Sequence, residues 1–188
     1  SNRIFILSGI STGLGYALLL LFSIVGPFLI QHQLHLSVLT YGHIALCMAV
    51  ASVIGSTTVD QALKHISGQR LAAISLIIIS LTCIGFLLCA LIFGLTLLTL
   101  VIPIMIMIFC EPYFYPNNFS NAMTLFEDQR GMASASLGVL LSLASGVIGF
   151  AVSKVSLTTL LPTAFIYFCT STILLMIFLV SSKLAPNK

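Results

Sequence analysis

The chain has 188 residues, of which 59% are hydrophobic and only 6% are charged, and its net charge is +3. Soluble domains carry about 25% charged residues, so this composition excludes a protein whose whole surface faces water. The seven lysines and arginines stand singly between apolar runs, which argues against nucleic acid as a partner. The apolar runs are long and lack the alternating pattern of a membrane barrel, so they predict an all-α protein whose partner is the lipid bilayer.

Six of these runs are long enough for helices that cross a membrane, which requires roughly 20 residues each. Together they predict one bundle over residues 1–188, with transmembrane helices near residues 4–30, 38–62, 70–92, 95–126, 131–153 and 159–182. The connections between the runs are short, so consecutive helices are expected to run antiparallel.

Basic residues predict the orientation of the bundle, because lysine and arginine are retained on the cytoplasmic side of a membrane. Lys154 falls on one side of the predicted membrane. The other basic residues all fall on the opposite side: Arg3, Lys64, Arg70, Arg130, Lys183 and Lys188. This asymmetry predicts that both termini are cytoplasmic, and the expected location is the inner membrane of a bacterium.

Small and polar residues distinguish some predicted helices from others. The first helix has a polar stripe within about 100° of arc at 3.6 residues per turn, formed by Ser8, Thr12, Tyr16, Ser23 and Pro27. The fifth helix has a ladder of small residues at i, i+4 spacing, which allows a neighbouring backbone to approach closely; its members are Ser134, Gly138, Ser142 and Gly146. The third and sixth helices are the most apolar and are expected to face lipid.

The characters of the helices repeat along the chain. The first and fourth predicted helices contain proline and polar groups, the second and fifth are rich in small residues, and the third and sixth are apolar. Three helices followed by three of the same kind in the opposite orientation are typical of the inverted repeats of secondary transporters, whose proline-interrupted helices form the binding site. The sequence therefore predicts a 3+3 inverted repeat.

The segment CEPYFYPNNFSN at residues 110–121 allows two interpretations. If the fourth helix ended at Cys110, the first residue of this segment, Glu111 would lie at the cytoplasmic surface. Tyr113 and Tyr115 would then form an interfacial aromatic belt. If the helix runs over residues 95–126, Glu111 lies about 23 Å from either end. A carboxylate so near the bilayer centre is costly unless it faces a cavity. The second interpretation is favoured, because no basic residue occurs between this segment and Arg130 and an apolar run at residues 119–126 would otherwise lie in water.

The continuous helix predicts a functional site around its acidic residue. Glu111, Tyr115 and Asn118 share one face at i, i+4 and i+7, with Asn117 and Asn121 on the next face. The prolines are expected to break the helices and free carbonyl groups that must line protein or water; they are Pro27, Pro112 and Pro116.

A carboxylate among aromatic rings and amides suits a cationic, amphipathic ligand. The predicted cavity residues are Tyr16, Ser23, Tyr113, Tyr115, Asn117, Asn118 and Asn121. Glu111 is the predicted proton-coupling residue, with a purely structural role in the bundle as the alternative.

Other residues suggest further chemistry less strongly. The five cysteines lie in apolar runs without metal-binding spacing, so they are interpreted as small buried hydrophobic residues. His32, His35 and His43 cluster near the extracytoplasmic end of the first two helices, where loop polarity is favoured over metal or proton sensing. The pattern GISTG around Ser11 fits a serine hydrolase motif, but helix packing explains it better. No cofactor, metal or enzymatic activity is predicted.

Several motifs give the chain a family resemblance. The run Asn121-Ala122-Met123, the run GMASASLG at residues 131–138, and Gly26-Pro27-Phe28 resemble parts of major facilitator superfamily drug:proton antiporters of the bicyclomycin-resistance type. The segment DQALKHISGQR looks like a divergent copy of the loop that recurs in that family, with candidate gate residues Asp60, Lys64, Gly68 and Arg70.

The resemblance covers nearly the whole chain, as the C-terminal six-helix half of a twelve-helix transporter. It implies two bundles that rock about a central cavity and exchange substrate for protons. The loop lacks the usual arginine beside its acid, which leaves its gating role open. Glu111-Pro112 and Pro116-Asn117-Asn118 depart from the bicyclomycin type, so the substrate class also stays open.

The sequence thus predicts a proton-coupled transporter that exports small amphipathic organic compounds. The second and fifth helices are expected to form a seam against another bundle, which is either an N-terminal half of the same parent chain or a second copy. The alternatives are a metabolite, amino-acid or siderophore exporter of the same superfamily, and a six-helix membrane assembly subunit or channel that does not transport.

Overall fold

A computed structural model describes residues 2–155 and 159–184. Over these residues the chain is all-helical, and six helices are long and apolar enough to cross a membrane. They are α1 (Asn2–Phe28), α2 (Val38–Ala62), α3 (Gly68–Phe93), α4 (Leu97–Met123), α5 (Arg130–Ser153) and α6 (Leu160–Leu184). This is the architecture expected of a multi-pass membrane protein. Part of the predicted connection KVSLTT and the predicted cytoplasmic Lys188 lie outside the described residues.

The ends of α1 and α4 differ from the predicted bounds. Beyond Phe28 the first helix continues as a π-helix over Leu29–Gln33, with the Leu34 N–H donating to the Leu29 carbonyl at 2.9 Å. Helix α4 ends at Met123 instead of residue 126, and a 3₁₀ segment follows over Thr124–Gln129, in which the backbone leaves helical geometry at Phe126.

The start of α4 is fixed by a capping box two residues later than predicted. The Thr99 backbone N–H donates to Thr96 Oγ1 at 3.1 Å, and the Thr96 N–H donates to Thr99 Oγ1 at 2.9 Å. Such reciprocal bonds satisfy backbone donors that have no partner inside the helix. Gly94 precedes the box with φ of 66°, a left-handed conformation that glycine adopts without strain.

Helices α1 and α4 form the centre of the bundle. Helix α1 packs against α4, α5 and α6, whereas α4 packs against α1, α2 and α3; α3 and α6 also pack against each other. Helix α2 rests mainly on α4, and α5 mainly on α1, so these two helices expose the largest share of their surface. The core lies around α1 and α4, where it includes Leu21, Ile104 and Phe114 together with Phe86 of α3 and Tyr167 of α6.

Candidate functional site

The contact between α1 and α4 contains Glu111 and three of the seven predicted cavity residues, Tyr16, Tyr115 and Asn118. Asn118 of α4 meets the N-terminal part of α1, Phe114 packs under Gly15, and Glu111 lies near Leu18 and Leu19. Residue numbers rise on one helix as they fall on the other, so the two helices run antiparallel. The predicted face of α4 that carries Glu111, Tyr115 and Asn118 therefore looks towards α1.

Asn118 forms the polar end of this contact. It is buried, with 4% of its surface exposed, and its Nδ2 donates to the Ser8 carbonyl at 3.1 Å, to Ser11 Oγ at 2.8 Å and to Thr12 Oγ1 at 2.8 Å. The hydroxyl groups of Ser11 and Thr12 themselves donate to the Ser8 carbonyl, at 2.9 and 2.7 Å, which leaves their oxygens free to accept. The GISTG motif thus holds α4 through Asn118, and Ser11 is fully buried.

Replacing Asn118 with leucine is expected to destabilise the bundle by about 1 kcal/mol, and by up to about 2, because hydrogen bonds between membrane helices have magnitudes of this order. The measurement is the free energy of unfolding in mixed micelles. Asn121→Leu is the matched control, because Asn121 is exposed on the same helix. If Asn118→Leu and the unmodified protein have the same free energy of unfolding, the hydrogen bonds of Asn118 do not stabilise the bundle.

Glu111 is the acidic residue of the α1–α4 contact. Its side chain is partly buried, and its Oε1 is buried without a hydrogen-bond partner among the described residues. It borders a cavity of about 10 Å³, roughly the space of one water molecule. The cavity is also lined by Gly15, Leu18, Leu19, Ile79, Ile104, Met107, Ile108 and Phe114. None of these residue types has a side-chain oxygen or nitrogen, so the carboxyl group has an apolar environment on this side.

A row of aromatic rings extends from Glu111 along the same face. The ring centroids of Tyr16 and Tyr115 are 5.9 Å apart, and those of Tyr115 and Phe119 are 6.1 Å apart in a stacked arrangement. All three rings are partly exposed. Phe119 was not among the predicted cavity residues, although its i+4 spacing from Tyr115 was a signal that could have found it.

Tyr113 and Asn117 lie on a different face of α4 and do not join this group. The Tyr113 hydroxyl donates to Thr58 Oγ1 of α2 at 2.6 Å, and Asn117 Nδ2 donates to the Tyr113 carbonyl at 2.9 Å. The Asn117 side-chain oxygen lies 2.8 Å from the position that a Cβ on Gly68 would occupy. These residues therefore connect α4 to α2 and to the start of α3. No pattern in the sequence identifies Thr58 as the partner of Tyr113.

The remaining predicted residues are distributed along the bundle. Ser23, Asn121 and Pro116 are exposed, Pro27 is partly buried, and Pro112 is buried. Helix α4 continues as an α-helix through Pro112 and Pro116, so neither proline breaks the helix as predicted. Pro27 lies two residues before the π-helix, where the hydrogen-bonding pattern of α1 does change. Asp60, Lys64 and Arg70 are exposed around the α2–α3 connection, and Gly68 is the first residue of α3.

The histidines and cysteines form no cluster of three metal-binding side chains within residues 2–155 and 159–184. His32, His35 and His43 are exposed, and the ring of His32 stacks on Phe28 at 5.2 Å. Cys83 and Cys110 are buried, as predicted, whereas Cys47 is exposed on α2. The exposure of Cys47 follows from the peripheral position of that helix.

The small-residue ladder of α5 faces outwards. Ser134, Gly138, Ser142 and Gly146 are all exposed. A Cβ atom added at Gly138 or Gly146 would meet no atom of the described residues within 4 Å. The close approach that such a ladder permits is therefore not used inside the bundle.

No family model, curated protein or solved structure matches the chain. Over the described residues, the fold and the site define a class: a helical protein with six helices long and apolar enough to cross a membrane. A partly buried acidic residue lies where its two central helices meet.

Proposed function

We propose that the chain is one six-helix half of a proton-coupled secondary transporter of the major facilitator type, which exports small amphipathic organic compounds. In this proposal the bundle lies in a bacterial inner membrane with both termini in the cytoplasm. Glu111 carries the coupled proton, and the aromatic row of Tyr16, Tyr115 and Phe119 contacts the substrate.

The observation that carries this proposal is the environment of Glu111. Hard metal cations require several oxygen ligands. The residues that line the cavity beside the carboxyl group supply none from their side chains, and the cavity has room for about one water molecule. A proton needs only the carboxyl group itself. An intramembrane acid is a functional residue by default, because of the energy needed to keep it there.

The packing of the helices supports the inverted repeat. Exchanging α1 with α4, α2 with α5 and α3 with α6 converts each main helix contact into another that is also present: α1–α5 into α4–α2, and α1–α6 into α4–α3. The α1–α4 and α3–α6 contacts map onto themselves. Two three-helix units related in this way are typical of transporters whose site lies between the repeats.

The small size of the cavity supports a second bundle as partner. A space of about 10 Å³ beside Glu111 cannot enclose an organic compound, so in this proposal the substrate binds between this bundle and another one. The exposed α2 and α5 provide the surface for that partner. Alternating access also requires something for the bundle to move against. The partner is an N-terminal half of the same parent chain or a second copy.

The seam can be tested with two glycines that both lack neighbours. Gly138 of α5 and Gly85 of α3 have no atom of the described residues within 4 Å of an added Cβ. Gly138→Leu is expected to leave the bundle stable but to prevent its association with the partner, because the ladder loses its close approach. Gly85→Leu, on α3 and outside the proposed seam, is the control. Crosslinking in membranes measures the association; equal association of both variants would reject the seam.

Proton coupling is tested in inside-out vesicles that contain the protein in its native membrane. Adding tetraphenylphosphonium or ethidium, two amphipathic cations, is expected to release protons from vesicles held at an acidic interior. If the vesicles release protons on addition of a neutral metabolite or amino acid, but not on addition of these cations, the result would favour the other exporter classes. Vesicles that respond to no member of a broad substrate panel would favour a structural subunit or channel.

A further inference from the structure

A second pocket lies near the start of α1, where this helix meets the 3₁₀ segment and the start of α5. In the proposed orientation this is the cytoplasmic end of the bundle. The pocket has a volume of about 300 Å³, whereas the cavity beside Glu111 holds about 10 Å³. Ligand pockets occupy roughly 300–1,000 Å³, so this pocket has room for a small organic compound. It is lined by Phe5, Ile6, Phe126, Gln129, Met132, Ala133 and Ser136.

The wall of this pocket is mainly apolar and aromatic. The rings of Phe5 and Phe126 meet edge-to-face, with their centroids 5.0 Å apart. Gln129 and Ser136 are exposed and provide an amide and a hydroxyl group. None of the described residues that line the pocket carries a charge. Aromatic rings attract other rings and delocalised cations. A compact, highly charged metabolite would lose hydration here without gaining an ion pair.

An apolar cluster connects this pocket to the aromatic row beside Glu111. Phe119, the last ring of that row, packs against the cluster from α4, and Phe126 packs against it from the 3₁₀ segment. Phe119 lies eight residues from Glu111, which is about 12 Å along α4. The pocket, the cluster and the row therefore form one apolar and aromatic surface that leads from the end of the bundle towards Glu111. The buried members of the cluster are Phe5, Ala122, Ala133 and Leu137, of which the first and third line the pocket.

We propose that this pocket is an entry site, at which an amphipathic compound with a flat aromatic body binds before it reaches Glu111. The inference rests on the proposed function, since it takes this compound to be the exported substrate. The aromatic body of the compound contacts the Phe5 and Phe126 rings. Gln129 and Ser136 supply hydrogen bonds to its polar atoms, as a few polar groups do in pockets that are otherwise apolar.

A single tryptophan can report binding in this pocket, because the chain has no tryptophan of its own. Met132→Trp places one in the pocket wall, and Val147→Trp places one elsewhere on α5. Both positions are exposed, at 63% and 65%, so both variants should fold. In phosphatidylcholine vesicles without a proton gradient, ethidium is expected to quench Met132→Trp with saturation. Val147→Trp should show only the weak, non-saturating quenching caused by ethidium dissolved in the bilayer.

A matched pair of serine variants, made in the Met132→Trp chain, tests the pocket wall. Ser136→Arg is expected to weaken ethidium binding by roughly tenfold or more, because its side chain fills the pocket and its charge repels the cation. Ser153→Arg makes the same change in an exposed residue at the opposite end of α5 and should bind normally. Ser136 lies two positions from Ser134 and Gly138, about 200° around the helix, so its substitution does not enter the proposed seam.

Three results would overturn the entry site. The first is equal quenching of the two tryptophans by ethidium, and the second is equal affinity of the two serine variants. The third is quenching of Met132→Trp by brominated phosphatidylcholine that ethidium does not relieve, which would assign the pocket to a lipid acyl chain. A photoreactive azide of ethidium tests the unmodified chain as well. It should label residues 5–6 or 126–136, and labelling confined to other residues rejects the site.

The binding measurement is independent of proton coupling. Normal proton release on addition of ethidium, without binding in this pocket, would reject the entry site and leave the proposed function intact. Binding in this pocket without proton release for any substrate would retain a binding site for flat aromatic compounds and reject the proposed transport.

Discussion

Glu111→Gln is expected to abolish proton-coupled transport while the protein remains folded in the membrane. Glutamine has nearly the shape of glutamate but cannot release a proton. The buried Oε1 has no hydrogen-bond partner among the described residues, so the substitution breaks no bond that holds the bundle together. In vesicles with an acidic interior, proton release on addition of tetraphenylphosphonium should fall to the level of vesicles without the protein.

The matched control is Glu127→Gln, which makes the same chemical change in the connection after α4. It should transport at the normal rate. Glu111→Asp keeps a titratable group and is expected to retain proton release at a reduced rate, which separates loss of the proton from loss of shape. Normal proton release by Glu111→Gln, with protein amounts equal in the membranes, would remove Glu111 from the coupling mechanism.

The prediction of six apolar helices is confirmed over the described residues, because span length and hydropathy depend only on local sequence. The course of α4 illustrates this. The absence of a basic residue between Glu111 and Arg130 and the apolar run at residues 119–126 favoured a continuous helix, and the helix extends to Met123. Its ends differ by two or three residues, because the capping box at Thr96 and the turn at Phe126 depend on local hydrogen bonds and backbone angles.

Part of the candidate site could also have been read more accurately from helical geometry. Tyr113 and Tyr115 are two positions apart, which places them about 200° apart around a helix. They could not both face one cavity beside Glu111. The structure directs Tyr113 to Thr58 of α2 and Tyr115 to Tyr16 of α1. The spacing separates these faces, but it does not tell which neighbouring helix each face meets, since that depends on the packing of distant segments.

Other features have little or no local signal. The contact between Cys83 Sγ and Met107 Sδ, at 3.5 Å, joins two helices whose register is set by the whole interface. Pro27 marks the region where the hydrogen-bonding pattern of α1 changes, but its presence does not predict that the change is a π-helix over Leu29–Gln33. Such features arise when the bundle assembles, so a single sequence without its tertiary contacts cannot specify them.

Gly55→Ala is expected to destabilise the bundle more than any other small substitution on α2. Gly55 is buried, and a Cβ added there would collide with the carbonyl oxygen of Phe109, a backbone atom that no side-chain rotation can move. Helix α2 would have to move away from α4, at a cost of about 1–3 kcal/mol. The Tyr113–Thr58 hydrogen bond of 2.6 Å, formed by residues one turn further along each helix, would lengthen or break with it.

The control for this prediction lies on the same helix. A Cβ at Gly42 would meet no described atom within 4 Å, so Gly42→Ala should be neutral or slightly stabilising, because alanine favours the helix over glycine by up to about 1 kcal/mol. Unfolding in mixed micelles measures both variants, and the tyrosine environment by ultraviolet resonance Raman spectroscopy follows the Tyr113 hydroxyl. If Gly55→Ala is as stable as Gly42→Ala and leaves the tyrosine signal unchanged, then α2 does not rest on α4 at this point.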